Sequence, residues 1–273
     1  MSQAGKLVLS RLSPDHLQRL YSNRLEAGCS AASVHQLHAV LRRSLGQAAR
    51  WGLVARNIAS LVTPPRIKRR EMATLSPEQA RTFLEAAKGD RLETLYALAL
   101  TSGMRQGELL ALRWRDVELD CGTLQVVATL HRTPDGFVFS EPKTARSRRQ
   151  VVLTVAAIAA MRHHRAAQPE ERLRLRAAWE DNGLVFADVT GRPIEGTSLT
   201  QRSFYRLRER AGLPRIRFHD LRHTAATLLL GQGMHPMVMA DMLGHSQISV
   251  TLDLYSHTPP AMHRQAAWCS IPF

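Results

Sequence analysis

The chain has 273 residues, 44% of them hydrophobic, and carries 37 Lys and Arg against 23 Asp and Glu, a formal net charge of +14. That length and apolar content fit one large or two ordinary folded domains. No apolar run nears the roughly 18 residues of a membrane span, and the start MSQAGKLVLSRLS lacks a secretory block, so a soluble cytoplasmic protein with no membrane partner is expected. Cys29, Cys121 and Cys269 stand singly, which argues against a disulfide framework or a CxxC metal site. The positive excess favours a polyanionic partner, most simply nucleic acid. Low aromatic content argues against a reader that stacks single-stranded bases.

Ser13-Pro14 is an N-cap followed by proline at the first helical position, and it opens a helix that Gly28 closes. Ser30 starts a second helix, AASVHQLHAVLRRSLGQAARWG, with Val34, Leu37, Val40, Leu41, Leu45 and Ala48 as its apolar stripe. Its other face carries Arg42, Arg43 and Arg50, suited either to phosphates or to plain solvation. Two prolines and the basic residues Arg66, Lys68, Arg69 and Arg70 then mark a linker over 64–76, which separates a helical domain, 1–63, from a larger one, 77–273. The linker's charge suits a path along a phosphate backbone.

Ser76-Pro77 opens the second domain, with helices expected at 77–88 and 91–102 and a short one in GELLALRWRDVELD. Strand-like runs follow at 123–130, 137–139 and 149–153, with Pro134-Asp135-Gly136 as a hairpin turn. From Thr154 onward the pattern is helical, broken at glycines. The fold class is therefore mainly α with a small antiparallel β-sheet.

Four separated segments supply cationic or proton-transferring groups. In SGMRQGELLALRW, Arg105 follows a glycine turn, where its planar fork suits two phosphate oxygens or, alternatively, a pairing with Glu108. In EPKTARSRR, Lys143 lies in the turn between two strands, either as an exposed hairpin tip or as an ammonium reaching a leaving oxygen. In HDLRHTAAT, His219 and Arg222 share a helix face and either aim at one phosphate or cap a buried helix start, with Asp220 pairing Arg222. His219 and His223 are also spaced to meet, but the HExxH glutamate is missing, so no metal is expected. In LGHSQISVTLDLYSH, His245 follows a helix-ending glycine and Tyr255 stands ten residues later. Tyr21, Tyr96 and Tyr205 read as packing residues.

Together these groups describe a chemistry. Two arginines can neutralise a phosphodiester and its pentacoordinate transition state in place of metal ions. A phenol near cations or a histidine is a plausible nucleophile, giving a covalent phosphotyrosine, and a lysine can protonate the departing oxygen. No cofactor is expected.

The four blocks, in this order and at these separations, resemble the tyrosine recombinases, the phage-integrase type of site-specific DNA recombinase, over nearly the whole chain. The resemblance implies a two-domain DNA clamp, in which a small helical core-binding domain and a catalytic domain embrace double-stranded DNA. It implies that Arg105 and Arg222 bind the nonbridging phosphate oxygens and that Lys143 is the general acid toward the 5′-hydroxyl. His219 would then be the proton acceptor, His245 a hydrogen-bond donor to the phosphate, and Tyr255 the nucleophile of a 3′-phosphotyrosyl link. It also implies a homotetramer on paired DNA sites, a Holliday junction, no need for metal or ATP, and in some systems an accessory DNA-bending protein. Relatives usually begin their core-binding domain with a further helix and end in a longer tail, so both ends of this chain look shortened.

Base reading is expected from the helix at 30–51 and from the helix after Gly196, where Gln201, Arg202 and Arg206 suit a major groove. The leading expectation is the integrase of a phage or other mobile element. Two others stand beside it: a type IB topoisomerase, disfavoured by the recombinase-like spacing, and a DNA-binding regulatory protein derived from a recombinase.

Overall fold

The computed structural model describes residues 7–67, 73–141 and 148–244. Lys68, Arg69, Arg70, Lys143, His245 and Tyr255 lie outside the described residues. The chain divides into two units, Met1–Glu71 and Met72–Phe273, at a boundary inside the proline-rich, basic stretch.

The first unit is a pair of helices, α1 (Pro14–Glu26) and α2 (Ala31–Arg50), with short 3-10 turns at Leu9–Arg11 and Ile58–Leu61. Both helices begin where their sequence caps stand. Pro14 occupies the first turn of α1, and the Ser13 backbone N–H donates to His16 Nδ1 (3.1 Å), so a histidine takes the place of the usual glutamate. Ser30 Oγ accepts from Ser33 N (3.1 Å). Gly28 ends α1 at φ +82°, a left-handed conformation that favours glycine.

The core of this unit joins Leu17, Tyr21, Val34, Leu45, Ala59 and Val62. Two residues of α2 depart from the expected stripe. Val40 is exposed, because at 100° per residue it lies about 120° round the helix from Val34. His38 takes the inward position and bonds Tyr21 Oη through Nδ1 (3.0 Å). Arg42, Arg43, Arg50 and Arg66 are exposed.

Burial, then the neighbouring charges of Arg42 and His35, hold His38 below the ordinary histidine pKa. A group depressed in this way contributes stability above its unfolded pKa, about 6.5, and loses it as pH falls. Tyr21→Phe is expected to cost about 1–3 kcal/mol at neutral pH by stranding a buried ring nitrogen. Urea denaturation checks it, and an unchanged midpoint would mean the pair contributes no stability.

In the second unit, α3 (Pro77–Ala87) starts at a Ser76–Gln79 capping box. α4 (Glu93–Ser102) is apolar on nearly every side and is correspondingly buried, packing against α3, α5 (Gln106–Ala111), α6 (Val155–Leu175) and α9 (Asp220–Gly231). Phe83, Tyr96, Phe204 and Phe218 cluster there, with Phe83–Tyr96 (5.4 Å) and Phe204–Phe218 (5.5 Å) edge-on and Phe83–Phe204 tilted.

The strands form two antiparallel sheets. β1 (Val117–Glu118), β2 (Thr123–Val126) and β5 (Arg149–Val152) lie in the order β1-β2-β5, while β3 (Thr129–Thr133) and β4 (Gly136–Ser140) make a separate hairpin. The run 123–130, read as one strand, therefore breaks at Val127-Ala128. Its alternation continues through the break, since Leu124, Val126 and Leu130 are all buried, which is why the sequence shows one period. β4 pairs with β3 and β5 with β2, so the two strands that flank Lys143 in the sequence are not partners of one hairpin; Lys143 itself lies outside the described residues.

The remaining helices are α7 (Gly196–Ser198), running through a π-helical turn, Leu199–Phe204, into α8 (Tyr205–Arg210), then α9 and α10 (Pro236–Leu243). No helix among the described residues is long and apolar enough to cross a membrane.

Candidate active site

The turn between α4 and α5 presents Arg105. Gly103 ends α4 at φ +60°, and a Cβ there would lie 2.3 Å from Leu243 Cδ2, so both the conformation and the close approach require glycine. Arg105 is the N-cap of α5, in extended conformation, and Glu108 one turn on accepts from its backbone N–H (2.9 Å) and from Nη1 (2.8 Å). Of the two roles the sequence allows Arg105, phosphate binding and pairing with Glu108, the structure has the pairing, and the arginine side chain remains 39% exposed. The two roles are compatible, because the carboxylate occupies only part of the guanidinium fork.

Arg222 comes from the first turn of α9 and is buried. Its Nη1 donates to Gly103 O (2.7 Å) and its Nη2 to Leu243 O (2.6 Å). Asp220 does not pair with it. That carboxylate forks onto Arg217, at 2.8 Å to Nη2 and 3.2 Å to Nε, because it faces back along the chain from the helix start. Burial above all, then the charge of Arg105, pushes Arg222 down to about 9, still well above neutrality, so it stays cationic.

His219 precedes α9 and makes no capping bond. Its ring meets His223 edge to face at 5.0 Å. Although the residue is exposed overall, burial of the ring is the largest cause of its lowered pKa, followed by His223 and Arg222. Such a histidine is neutral at pH 7 and able to accept a proton.

Arg149 was not singled out from the sequence. It opens β5, buried, with Nη2 on Glu108 Oε2 (2.8 Å), Nη1 on Oε1 (3.2 Å) and Nε on Met242 O (2.8 Å). Burial pushes the Glu108 carboxyl up, but Arg149, then Arg105, outweigh it and hold the group below the usual carboxylate range. Arg105 Nη2 also reaches Gly244 O (3.1 Å). Three consecutive carbonyls at the C-terminus of α10 thus meet three arginines: Met242 with Arg149, Leu243 with Arg222, Gly244 with Arg105. A helix C-terminus carries partial negative charge, so it suits this cationic neighbourhood. The next residue in the sequence is His245.

Gln201, Arg202 and Arg206 are exposed on the α7–α8 helix. Gln106, beside Arg105, donates to Gly196 O (3.0 Å) and Thr200 Oγ1 (2.9 Å), tying that helix to the arginine turn. Three tyrosines have packing surroundings. Tyr21 and Tyr96 are buried, Tyr96 pushed up to about 12 by that burial, and Arg208 lies over the Tyr205 ring at 4.8 Å.

A profile of the phage integrase family matches residues 73–261, so the chain belongs to that family of tyrosine-type site-specific recombinases. A tyrosine recombinase XerC-like protein of Caldanaerobacter subterraneus is 30% identical over 97% of this chain and 72% of its own length. The ICEBs1 integrase of Bacillus subtilis is 27% identical over 89% of this chain and 66% of its own. Among solved structures, the Tn1549 transposon integrase in complex with a circular intermediate DNA matches with a TM-score of 0.83 at 20% identity, covering 99% of this chain and 89% of that one.

Proposed function

We propose that residues 72–273 cut and rejoin duplex DNA through a 3′-phosphotyrosyl link at Tyr255. The observation that carries this is the convergence of Arg105 and Arg222, from two separate elements, on adjacent carbonyls at the end of α10. Two guanidiniums so placed can bind both nonbridging oxygens of one phosphodiester and stabilise the extra charge of its transition state. Neither metal nor ATP is then needed: the ester to tyrosine conserves the energy of the broken bond for rejoining. His219, neutral at pH 7, accepts the phenol proton, Lys143 protonates the leaving 5′-oxygen, and His245 donates to the phosphate. The packing of Tyr21, Tyr96 and Tyr205 supports Tyr255, the fourth of the chain's four tyrosines, as the nucleophile.

The larger reading is an integrase of a phage or other mobile element, acting in the cytoplasm. Four copies assemble on two sites and pass through a Holliday junction, aided in some settings by a DNA-bending protein. The exposed arginines of α2 and Arg66, with Lys68, Arg69 and Arg70, follow the DNA backbone as the first unit closes a clamp. Gln201, Arg202 and Arg206 read bases.

The test is trapping on a nicked duplex carrying the attachment sequence that flanks the gene. A denaturation-resistant protein–DNA adduct is expected, with mass spectrometry placing the nucleotide on Tyr255. An adduct on another residue refutes the assignment. Sequence-specific binding with no adduct would turn the reading to a regulatory DNA-binding protein.

A further inference from the structure

Arg149 takes no part in the chemistry above, yet it contacts both halves of the site. It stands in phase with Val151 and Leu153, whose side chains are buried, so an apolar residue would fill its place at no electrostatic cost. Instead a buried guanidinium spends two nitrogens on Glu108 and its Nε on Met242 O. Gly244 packs directly on it: a Cβ there would lie 2.9 Å from Arg149 Nη1 and 3.0 Å from Cδ. Glu108, for its part, grips Arg105 twice, through backbone and side chain. Burial alone would drive that carboxyl toward its neutral form, in which it loses one acceptor site and its charge.

We propose that Arg149 is a positioning residue for strand cleavage: it fixes Glu108, and through it Arg105, in register with the C-terminal turn of α10. One side chain thereby sets the phosphate-binding turn against the stretch of chain that continues into His245. The proposal rests on the strand-cleavage reading of the site, and it assigns Arg149 no contact with the reacting phosphate.

Two measurements on the full chain test it. In the first, side-chain carboxyls of glutamate are labelled with ¹³C and titrated, the Glu108 signal being assigned by its loss in Glu108→Gln. Glu108 is expected to titrate below the usual range in the wild type and above it in Arg149→Met. Arg149→Lys, which keeps the charge but not the fork, should return it toward the wild-type position. A Glu108 titration that ignores Arg149→Met overturns the proposal, since a purely packing role would leave it unmoved.

In the second, single-turnover cleavage is followed on the nicked attachment duplex. Arg149→Met should slow it about 100-fold, as misplacing a binding group does, with binding of the same duplex little changed. The double variant Glu108→Gln/Arg149→Met should be no slower than the slower single variant, because both substitutions break one linkage. Losses that multiply would make the residues independent and refute the coupling. If Arg149→Met fails to fold, Arg149→Gln, which removes the charge but keeps a hydrogen-bonding side chain, takes its place in both measurements, alone and combined with Glu108→Gln. A wild type that never forms an adduct refutes strand cleavage, whereas the carboxyl titration still decides whether Arg149 fixes Glu108.

Discussion

Arg222→Lys is expected to slow adduct formation about 1000-fold at pH 7.5 while leaving the protein folded, a loss at the upper end of what removing one preorganised transition-state donor costs. The native guanidinium spans two carbonyls on different elements, Gly103 O at 2.7 Å and Leu243 O at 2.6 Å. An ammonium is a single point of charge and cannot reproduce that fork while also reaching a phosphate. Its charge is a second problem. The site lowers Arg222 to about 9 through burial and then through Arg105. A lysine starts lower, near 10.4, and buried lysines titrate as low as about 5–6. The substituted group would therefore be largely neutral at pH 7.5 and regain its charge as pH falls. The rate ratio of wild type to variant should accordingly shrink between pH 8 and pH 6, which single-turnover cleavage across that range reads directly. A ratio independent of pH would mean that geometry alone sets the loss.

Helix starts were legible because their signals are local. Ser13-Pro14, Ser30 and Ser76-Pro77 each cap a helix, and Gly28 ends one, through bonds made within a few residues. Arg105 and Arg222 were legible for a similar reason: each sits at a helix start next to recognisable turn residues. Partnerships across the fold were not. Asp220 had two arginines within three residues, and the sequence does not say that it faces Arg217. The carbonyls of α10 leave no trace in the sequence at all, since any residue supplies a carbonyl.

Arg149 is the instructive miss. Beside Arg146 and Arg148 it reads as part of a solvated basic run, and Arg148 is indeed exposed. The usable signal was phase. Arg149 shares its strand face with Val151 and Leu153, so period two places a charge inside, where it requires a partner. The same attention to phase would have exchanged Val40 for His38 in α2. At both positions angle rather than residue type decides which side chain points inward, and the inward polar residue is hydrogen-bonded.

Glu108→Ala should destabilise the second unit by about 3–5 kcal/mol, the range for stripping one partner from a buried ion pair. Glu108 is 4% exposed and accepts from Arg105 N and Nη1 and from Arg149 Nη1 and Nη2. Its removal takes the Glu108 carboxylate away from the buried Arg149 charge, whereas Arg105, partly exposed, can turn toward water. The pH dependence has a definite sign. Burial raises the Glu108 pKa, but Arg149 and Arg105 bring it below the unfolded value. The stability it contributes is therefore fully present above about pH 4.3, the unfolded pKa, and is lost as pH falls through the folded pKa. Asp220, likewise depressed because Arg217 outweighs its burial, acts with the same sign, so the comparison requires an Asp220→Asn control. Urea denaturation between pH 7 and pH 3 should show Glu108→Gln flattening the acid decline that remains in Asp220→Asn. Equal slopes with and without Glu108 would mean that the carboxylate is not held ionised by its two arginines, and the account of how Arg105 is aligned would fail with it.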